Sequence, residues 1–150
     1  MARAVDVAAY ILKKRGRMSA MKLQKLVYYS QAWHATWEGR PLFGARIEAW
    51  ANGPVCPDLY RRHRGHFEVT AKLFTDAGGN CRRLNANEIE SIDVVLSEYG
   101  DQSAQYLSDL THREAPWRDA RAGLAPHERS TRSISLESMT EYYGGLIAEA

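Results

Sequence analysis

The residues best suited to chemistry are concentrated between positions 48 and 66, in the segment EAWANGPVCPDLYRRHRGH. This segment contains one cysteine, two histidines and three arginines, together with two prolines three positions apart. A cysteine with a histidine could act as a nucleophile and its base, and the same residue types could bind a metal ion. Arginines with aromatic residues could instead form a contact surface for another macromolecule. The spacing of these residues decides between the three possibilities.

The spacing of the potential metal ligands does not favour a metal site. Zinc sites usually combine closely spaced ligand pairs or two histidines one helical turn apart. Only His63 and His66 lie close together, and Gly65 is expected to end the helix between them. The other potential ligands are His34, His112, His127, Cys56 and Cys81. The sequence therefore predicts no metal ion and no cofactor.

Cys56 is the candidate nucleophile, but its surroundings give it little support. A helix is expected to begin at Pro57, and its positive end would slightly lower the pKa of the Cys56 thiol. No GxSxG-like turn surrounds the cysteine, nothing assigns it a base, and the glycines match neither a dinucleotide-binding motif nor a P-loop. We therefore predict no catalytic residue and a protein that is not an enzyme. A hydrolase that uses Cys56 is the enzymatic alternative.

The same segment carries the signals of a rigid chain reversal. Asn52–Gly53 tolerates positive φ, and Pro54 fixes its own φ while it holds the preceding glycine out of the α region. Pro57 suits the first position of a helix. We call residues 50–64 the elbow. Such a constrained segment either turns a corner of the fold or presents a preorganised contact surface, because immobilised side chains lose less entropy on binding.

The elements around the elbow are predicted to be mainly helical. Residues 20–38 carry apolar side chains on nearly every face, which is typical of a helix buried on several sides. The expected fold is mainly α, a single compact domain of residues 1–150 with about five to six helices around this buried central helix. Caps and apolar spacing place the other helices at 3–15, after Pro57, after Asn85, after Ser103, around Pro116 and at 136–148, where Met139, Tyr143, Leu146 and Ile147 should be buried.

A small β structure is expected near residues 45–84. Ile47, Ala49 and Ala51 alternate with other side chains, which predicts a short strand. Residues 67–74, FEVTAKLF, alternate as well, and the turn DAGGN could lead into CRRL as a returning strand. The pattern predicts a β-hairpin or a short sheet.

Composition and charge limit the location and the partners of the chain. Two cysteines without a CxxC exclude a disulfide framework and fit a reducing cytoplasm. The N-terminal charge order is not that of a signal peptide, and the apolar run is too short to span a membrane. Residues 1–75 carry 13 basic and 5 acidic side chains (+8), whereas residues 76–150 carry 7 and 13 (−6). The two halves could be solvated faces, or the basic half could face an acidic partner or nucleic acid.

Several motifs together resemble the Panacea antitoxin domain family, which contains the SocA-type and GepA-like antitoxins. They are KLQKL at 22–26, EAW at 48–50, GPV at 53–55 and TH at 111–112, in the family's order. The residues that carry the motifs are Leu23, Leu26, Tyr28, Gly53, Pro54, Pro57, His112 and Trp117. Cys56 departs from the family, in which an aliphatic residue is more frequent at this position.

The resemblance implies a helical antitoxin that neutralises a protein toxin encoded in the same operon of a bacterium or prophage. SocA-type members also resemble adaptors that deliver the toxin to a ClpXP-type protease. Many relatives carry an additional domain, whereas this chain resembles the bare domain. No membrane partner is expected. The alternative is a nucleic-acid-binding regulator of its own operon, because basic residues at 13–17, 61–64 and 82–83 could merge into one patch.

The elbow is the predicted partner-binding surface, because aromatic and arginine side chains dominate interface energetics. The predicted contact residues are Trp50, Asn52, Tyr60, Arg61, Arg62, Arg64, Lys22 and Lys25. Trp50 could equally be a core residue that shapes the turn. Lys22, Gln24 and Lys25 are interpreted as the polar, exposed side of the central helix.

Overall fold

The chain folds into eight α-helices and four very short strands within residues 1–149, which the computed structural model describes. The helices are α1 Ala4–Arg15, α2 Ala20–Glu38, α3 Pro57–His63, α4 Ala71–Thr75, α5 Ala86–Tyr99, α6 Ala104–His112, α7 Ala115–Ala120 and α8 Leu136–Glu149. The strands are β1 Met18–Ser19, β2 Glu48–Trp50, β3 Gly53–Val55 and β4 Glu68–Val69. The prediction of a mainly α fold is confirmed, with more short helices than expected.

Helix α2 lies at the centre of the fold, as its apolar sequence predicts. The hydroxyl of Ser19 accepts a hydrogen bond from the backbone of Lys22 at 3.1 Å and begins the helix, and Gly39 ends it with a φ of 75°. Helices α1, α5, α6 and α8 all pack against α2. Leu23, Leu26 and residues on the remaining faces are buried, so the helix has almost no solvent-exposed side before its last turn.

The β structure consists of two separate antiparallel pairs. Strands β2 and β3 form a hairpin in which Glu48 faces Val55 and Trp50 faces Gly53. The second pair joins β1 to β4 and brings Met18 opposite Val69. Residues 132–134 continue along the outer side of β2, where Ala49 donates its backbone N–H to the carbonyl of residue 132 at 2.8 Å.

The expected strands at 67–74 and in CRRL are wrong. Only Glu68–Val69 is extended, and α4 begins at Ala71. Helix α4 buries Phe74 completely, and it packs against α1. CRRL forms a 3₁₀ turn, Cys81–Arg83, because the side chain of Asn80 accepts a hydrogen bond from the backbone of Arg82 at 2.9 Å. The alternating pattern therefore reflects burial, and within it only Glu68–Val69 pairs as a strand, with β1.

The caps of the second half lie where the sequence predicts them, but one buried face is shorter than expected. Asn85 and Glu88 form a reciprocal capping box at 2.8 and 2.9 Å, and α5 begins after it. In α8, Tyr143 is buried, whereas Leu146 and Ile147 are 39% and 51% exposed. The prediction of burial for these two residues is wrong, since a helical period identifies a face but not the length over which neighbours cover it.

Among residues 1–149, no helix combines the length and the apolar composition needed to cross a membrane.

Candidate partner-binding cleft

The turn between β2 and β3 is held in place by helices α6 and α7. Ser108 of α6 donates its hydroxyl to the backbone carbonyl of Asn52 at 2.6 Å. Trp117 of α7 donates its indole N–H to the carbonyl of Trp50 at 2.8 Å. Because both anchors bind backbone atoms of the turn, they fix its position and leave the side chains of Trp50 and Asn52 available for other contacts.

Gly53 must be a glycine for two reasons. Its φ of 122° lies in a region that L side chains rarely adopt. A Cβ built on this residue would lie 2.5 Å from Cε of Lys25, which is inside van der Waals contact. The turn therefore lies directly on the side chain of Lys25, and this contact accounts for the glycine of the motif.

Gln24 clamps the middle of the elbow to α2. Its Oε1 accepts a hydrogen bond from the backbone N–H of Cys56 at 2.8 Å, and its Nε2 donates to the carbonyl of the same residue at 3.2 Å. The Nε2 atom of Gln24 also lies 2.9 Å from Nε2 of His63, which accepts from the amide. Sequence reasoning missed this role, because the side chain was assigned to an exposed face and is 3% exposed.

Lys25 is also buried, contrary to the expectation of an exposed polar side. It is 1% exposed and donates to the carbonyl of Pro54 at 3.3 Å. Among the described residues, no carboxylate oxygen lies within 4.0 Å of its ammonium group. Desolvation by burial lowers its pKa from 10.5 to about 8. The signal that could have found it is that α2 is apolar all round, so its few polar residues are also covered.

A cleft of about 750 Å³ opens between α2, the β2–β3 turn, α3 and residues 129–131. Its aromatic wall consists of Trp50 and Tyr60, whose rings meet edge to face with centroids 4.9 Å apart. Tyr60 in turn meets the ring of His63 at 5.5 Å. The lining residues are Ala20, Met21, Gln24, Lys25, Trp50, Ala51, Asn52, Val55, Tyr60, His63, Arg64, Gly65, His66, Arg129, Ser130 and Thr131.

The cleft brings together five of the eight predicted contact residues. These are Lys25, Trp50, Asn52, Tyr60 and Arg64. Asn52 and Arg64 are exposed. Trp50 and Tyr60 are half-buried, so each ring both packs against the fold and lines the cleft.

The other three predicted contact residues lie outside the cleft. Arg61 and Arg62 are exposed and line a separate depression with residues 1–5. Lys22 is half-buried at the start of α2. Sequence reasoning missed Arg129, which comes from a segment assigned to an exposed loop and reaches the cleft because residues 132–134 return along β2.

The motif residues of α2 and of the region 112–117 support this arrangement from inside. Leu23, Leu26 and Tyr28 are at most 1% exposed. The ring of His112 stacks on Trp117 with centroids 4.0 Å apart, and its pKa is lowered, chiefly by burial. Leu23, Leu26 and Tyr28 therefore lie in the core, and Trp117 anchors the turn.

The thiol of Cys56 is poorly suited to nucleophilic chemistry. It is 2% exposed, and burial raises its pKa to about 11, so it is protonated at neutral pH. The expected lowering by the first turn of α3 is wrong in sign, since desolvation outweighs the backbone hydrogen bonds from that turn. Within residues 1–149, no group of three or more His, Cys, Asp or Glu side chains is arranged to hold a metal ion.

The described residues thus form a mainly helical fold with an anchored elbow beside a cleft that contains Lys25, Arg64 and Arg129. The family model described as "Antitoxin SocA-like, Panacea domain" matches residues 23–118, and the chain belongs to this family. It is also 28% identical over 109 residues to the protein named Antitoxin SocA of Caulobacter vibrioides (strain NA1000 / CB15N), covering 67% of this chain. The matched region spans 58% of that relative's length. No solved structure matches the chain significantly.

Proposed function

We propose that this chain is an antitoxin that neutralises a protein toxin by binding to it directly. The observation that carries the proposal is the family match at residues 23–118, which includes the whole elbow and the residues of α6 and α7 that anchor it. The toxin is encoded in the same operon, and neutralisation takes place in the cytoplasm, where the free thiols of Cys56 and Cys81 are stable. Residues 1–150 act as one domain.

The elbow and its cleft are the contact surface in this proposal. Tyr60 and Arg64 combine an aromatic ring with a guanidinium group, the side chains that most often dominate binding energy. The backbone that precedes them is fixed at residues 50, 52 and 56 by Trp117, Ser108 and Gln24, so less conformational freedom is lost when a partner binds.

The test is co-expression with the product of the adjacent reading frame, followed by growth measurement and pull-down. Wild-type protein is expected to restore growth and to retain the product, and Tyr60→Ala with Arg64→Ala is expected to lose both. Tyr106→Ala with Arg40→Ala is the matched control, because both residues are exposed and lie outside the cleft. If wild-type protein neither rescues growth nor binds the product, the proposed function is wrong.

We further propose that the chain delivers the toxin to a ClpXP-type protease. Toxin half-life is measured with and without this chain, in cells that contain or lack the protease. Delivery predicts a short half-life only when both are present. A half-life that does not change, with growth still restored, would mean that the chain blocks the toxin by occupying its surface.

No catalytic step is part of the proposed function. Cys56 is the side chain on which an enzymatic alternative would depend, and it is buried with a raised pKa. Cys56→Ala is therefore expected to retain neutralisation. Loss of neutralisation by a folded Cys56→Ala protein would support the hydrolase alternative.

Nucleic-acid binding is the second candidate, because Arg61, Arg62 and Arg64 are all exposed within one short segment. A gel-shift experiment with the DNA upstream of the operon, at two salt concentrations, distinguishes the candidates. A specific regulator would keep its preference for this DNA as phosphate attraction weakens with salt. The antitoxin proposal predicts that any binding is lost at the higher concentration.

A further inference from the structure

The cleft beside the elbow is basic, and no acidic side chain lines it. Lys25, His63, Arg64, His66 and Arg129 are among its lining residues, which include no Asp or Glu. Elsewhere in the described chain, seven Lys or Arg side chains have a carboxylate oxygen within 4.0 Å. They include Arg15 with Asp101, Arg17 with Glu68, Arg46 with Glu48, Arg61 with Asp58 and Lys72 with Asp76. Among residues 1–149, neither Arg64 nor Arg129 has a carboxylate oxygen within 4.0 Å.

The floor of the cleft contains a charge that the fold leaves uncompensated. The ammonium group of Lys25 is removed from water, and the carbonyl of Pro54 at 3.3 Å is the hydrogen-bond acceptor the structure gives it within residues 1–149. A buried charge without a counter-ion is unfavourable, so an anion placed above it would recover part of the lost solvation. Thr111 lies beside the same turn, but its side chain is neutral and therefore provides no counter-ion for Lys25.

The walls of the cleft add an apolar component. Met21 and Val55 contribute aliphatic surface, and Trp50 and Tyr60 contribute ring surface. The indole N–H of Trp50 already donates to Glu48 at 2.8 Å, so its ring offers packing surface and no free donor. A volume of about 750 Å³ accommodates a few side chains of a peptide.

We propose that the cleft receives an acidic segment of the partner protein, with a carboxylate facing Lys25, Arg64 and Arg129 and an adjacent apolar side chain against Trp50 and Tyr60. The inference rests on the proposed function, since it names the chemistry of the surface that the toxin presents. Charge complementarity favours an acidic occupant, because every charged side chain in the lining is a cation.

Two exposed arginines give a test that does not endanger the fold. Arg64→Gln and Arg129→Gln keep a polar side chain and remove the charge, and each is expected to raise the dissociation constant for the product of the adjacent reading frame about 10-fold. Arg40→Gln lies outside both the cleft and the elbow and is the matched control. Arg129→Glu reverses the charge and is expected to prevent binding. When the partner's Asp and Glu residues are replaced by Lys one at a time, one replacement is expected to restore binding to this variant.

The outcomes separate the two proposals. If the product binds wild-type protein and both cleft variants equally well, the cleft proposal is wrong and the proposed function stands. If the product does not bind wild-type protein, the proposed function fails, and the cleft is tested with a short alternating glutamate–leucine peptide. The indole N–H resonance of Trp50 is expected to shift with this peptide and not with a lysine–leucine peptide.

Two further results would overturn the cleft proposal. One is an indole resonance of Trp50 that does not respond to the glutamate–leucine peptide. The other is a response to single-stranded DNA alone that disappears in Arg64→Gln and Arg129→Gln, which would make the cleft a nucleic-acid site. The third cation is tested with Lys25→Met, whose folding is checked by circular dichroism. This variant is expected to weaken peptide binding as the arginine variants do.

Discussion

Gly53 and Lys25 form a single structural unit at the residue scale. The glycine has a φ of 122°, and the methylene chain of the lysine occupies the space where its Cβ would lie. The ammonium group then reaches the carbonyl of Pro54. The turn is thus shaped by a residue of α2 that is distant in sequence, and the motif links the two segments through this contact.

Gly53→Ala is expected to lower the free energy of unfolding by about 1–3 kcal/mol, the usual cost of a strained backbone conformation. The added Cβ would also displace the end of Lys25. Urea denaturation followed by circular dichroism measures the change. Gly44→Ala is the matched control, since Gly44 has an ordinary φ and nothing within 4 Å of an added Cβ. Equal stability of the two variants would contradict the assigned role of the turn.

The buried ammonium group of Lys25 predicts a dependence of stability on alkaline pH. Its pKa is about 8 in the folded state, below its ordinary value of 10.5. Between these values the unfolded chain binds more protons, so the unfavourable charge is lost and stability rises with pH, by up to about 1.4 kcal/mol per unit. Below pH 8 the burial penalty is fully present in the folded protein.

Comparison with Lys25→Met isolates this effect. Wild-type protein is expected to gain stability relative to the variant as pH rises from 8 to 10, measured by urea denaturation at each pH. His63 of α3 and His112 of α6 face the ammonium group but are neutral there, because burial lowers both pKa values. Cys56, with a pKa raised to about 11, is present in both proteins and cancels. A constant difference between the two proteins would mean that folding does not lower the pKa of Lys25.

The residues of the site divide into those that local rules predict and those that only the tertiary structure positions. Gly53, Pro54 and Pro57 could be assigned from the sequence, because φ restrictions act within a few residues. Gln24 and Lys25 could not, since their burial depends on a hairpin about thirty residues further along the chain. A polar residue on a helix that is apolar all round should therefore be treated as buried and hydrogen-bonded.

At the scale of elements, the attachment of α8 to α2 depends on buried tyrosines around one carboxylate. Tyr29 and Tyr143 donate to the same oxygen of Glu114 at 2.6 and 2.8 Å, and Tyr28 lies 3.0 Å from the hydroxyl of Tyr143. Among the described residues, no Lys, Arg or His nitrogen lies within 4.0 Å of this carboxylate. Burial raises the pKa of Glu114, and the two hydroxyl donors partly oppose this.

Tyr143→Phe is expected to destabilise the protein by about 1–3 kcal/mol, because Glu114 loses one of two donors in a buried site. Tyr142→Phe is the matched control, since the Tyr142 side chain is half-buried and has no hydrogen bond in the described structure. Chemical denaturation measures both. Equal effects of the two substitutions would mean that α8 is held by packing alone and that the hydroxyl groups contribute nothing.

Helix boundaries were predictable where side chains cap them. Ser19, Asn85 and Ser103 each accept a hydrogen bond from the backbone three residues on, which is a local interaction that the sequence displays. The segment 67–74 was not predictable in the same way. Its alternation arises because Val69 and Phe74 contact the core from a strand end and a helix, so two elements share one pattern.

At the scale of the whole molecule, the elbow depends on segments outside the matched region 23–118. Helix α1 and helix α8 cover α2, and residues 129–131 close one side of the cleft. The sequence of 123–132 has the composition of an exposed loop, and most of it is exposed. Its position beside the cleft follows from the pairing of residues 132–134 with β2, a contact between distant parts of the chain that composition does not encode.

The distribution of charge, more than its sum, should govern how quickly a partner associates. The net charge is only +2, so the molecule as a whole attracts an acidic protein weakly. Residues 1–75, which supply most of the cleft, carry +8, and the acid-free lining concentrates this charge near Lys25 and Arg64. A potential localised in this way steers the approach of a partner and orients it before contact.

Association with the toxin is therefore expected to depend strongly on salt. Raising the ionic strength from about 10 to 150 mM shortens the screening length from roughly 30 to 8 Å, and the association rate constant should fall about 10-fold or more. The dissociation rate constant should change much less, because contacts inside the cleft are screened less. Stopped-flow measurements across this range provide both constants. Arg64→Gln should flatten the salt dependence and Arg40→Gln should not, so identical slopes for the two variants would show that the cleft does not steer the partner.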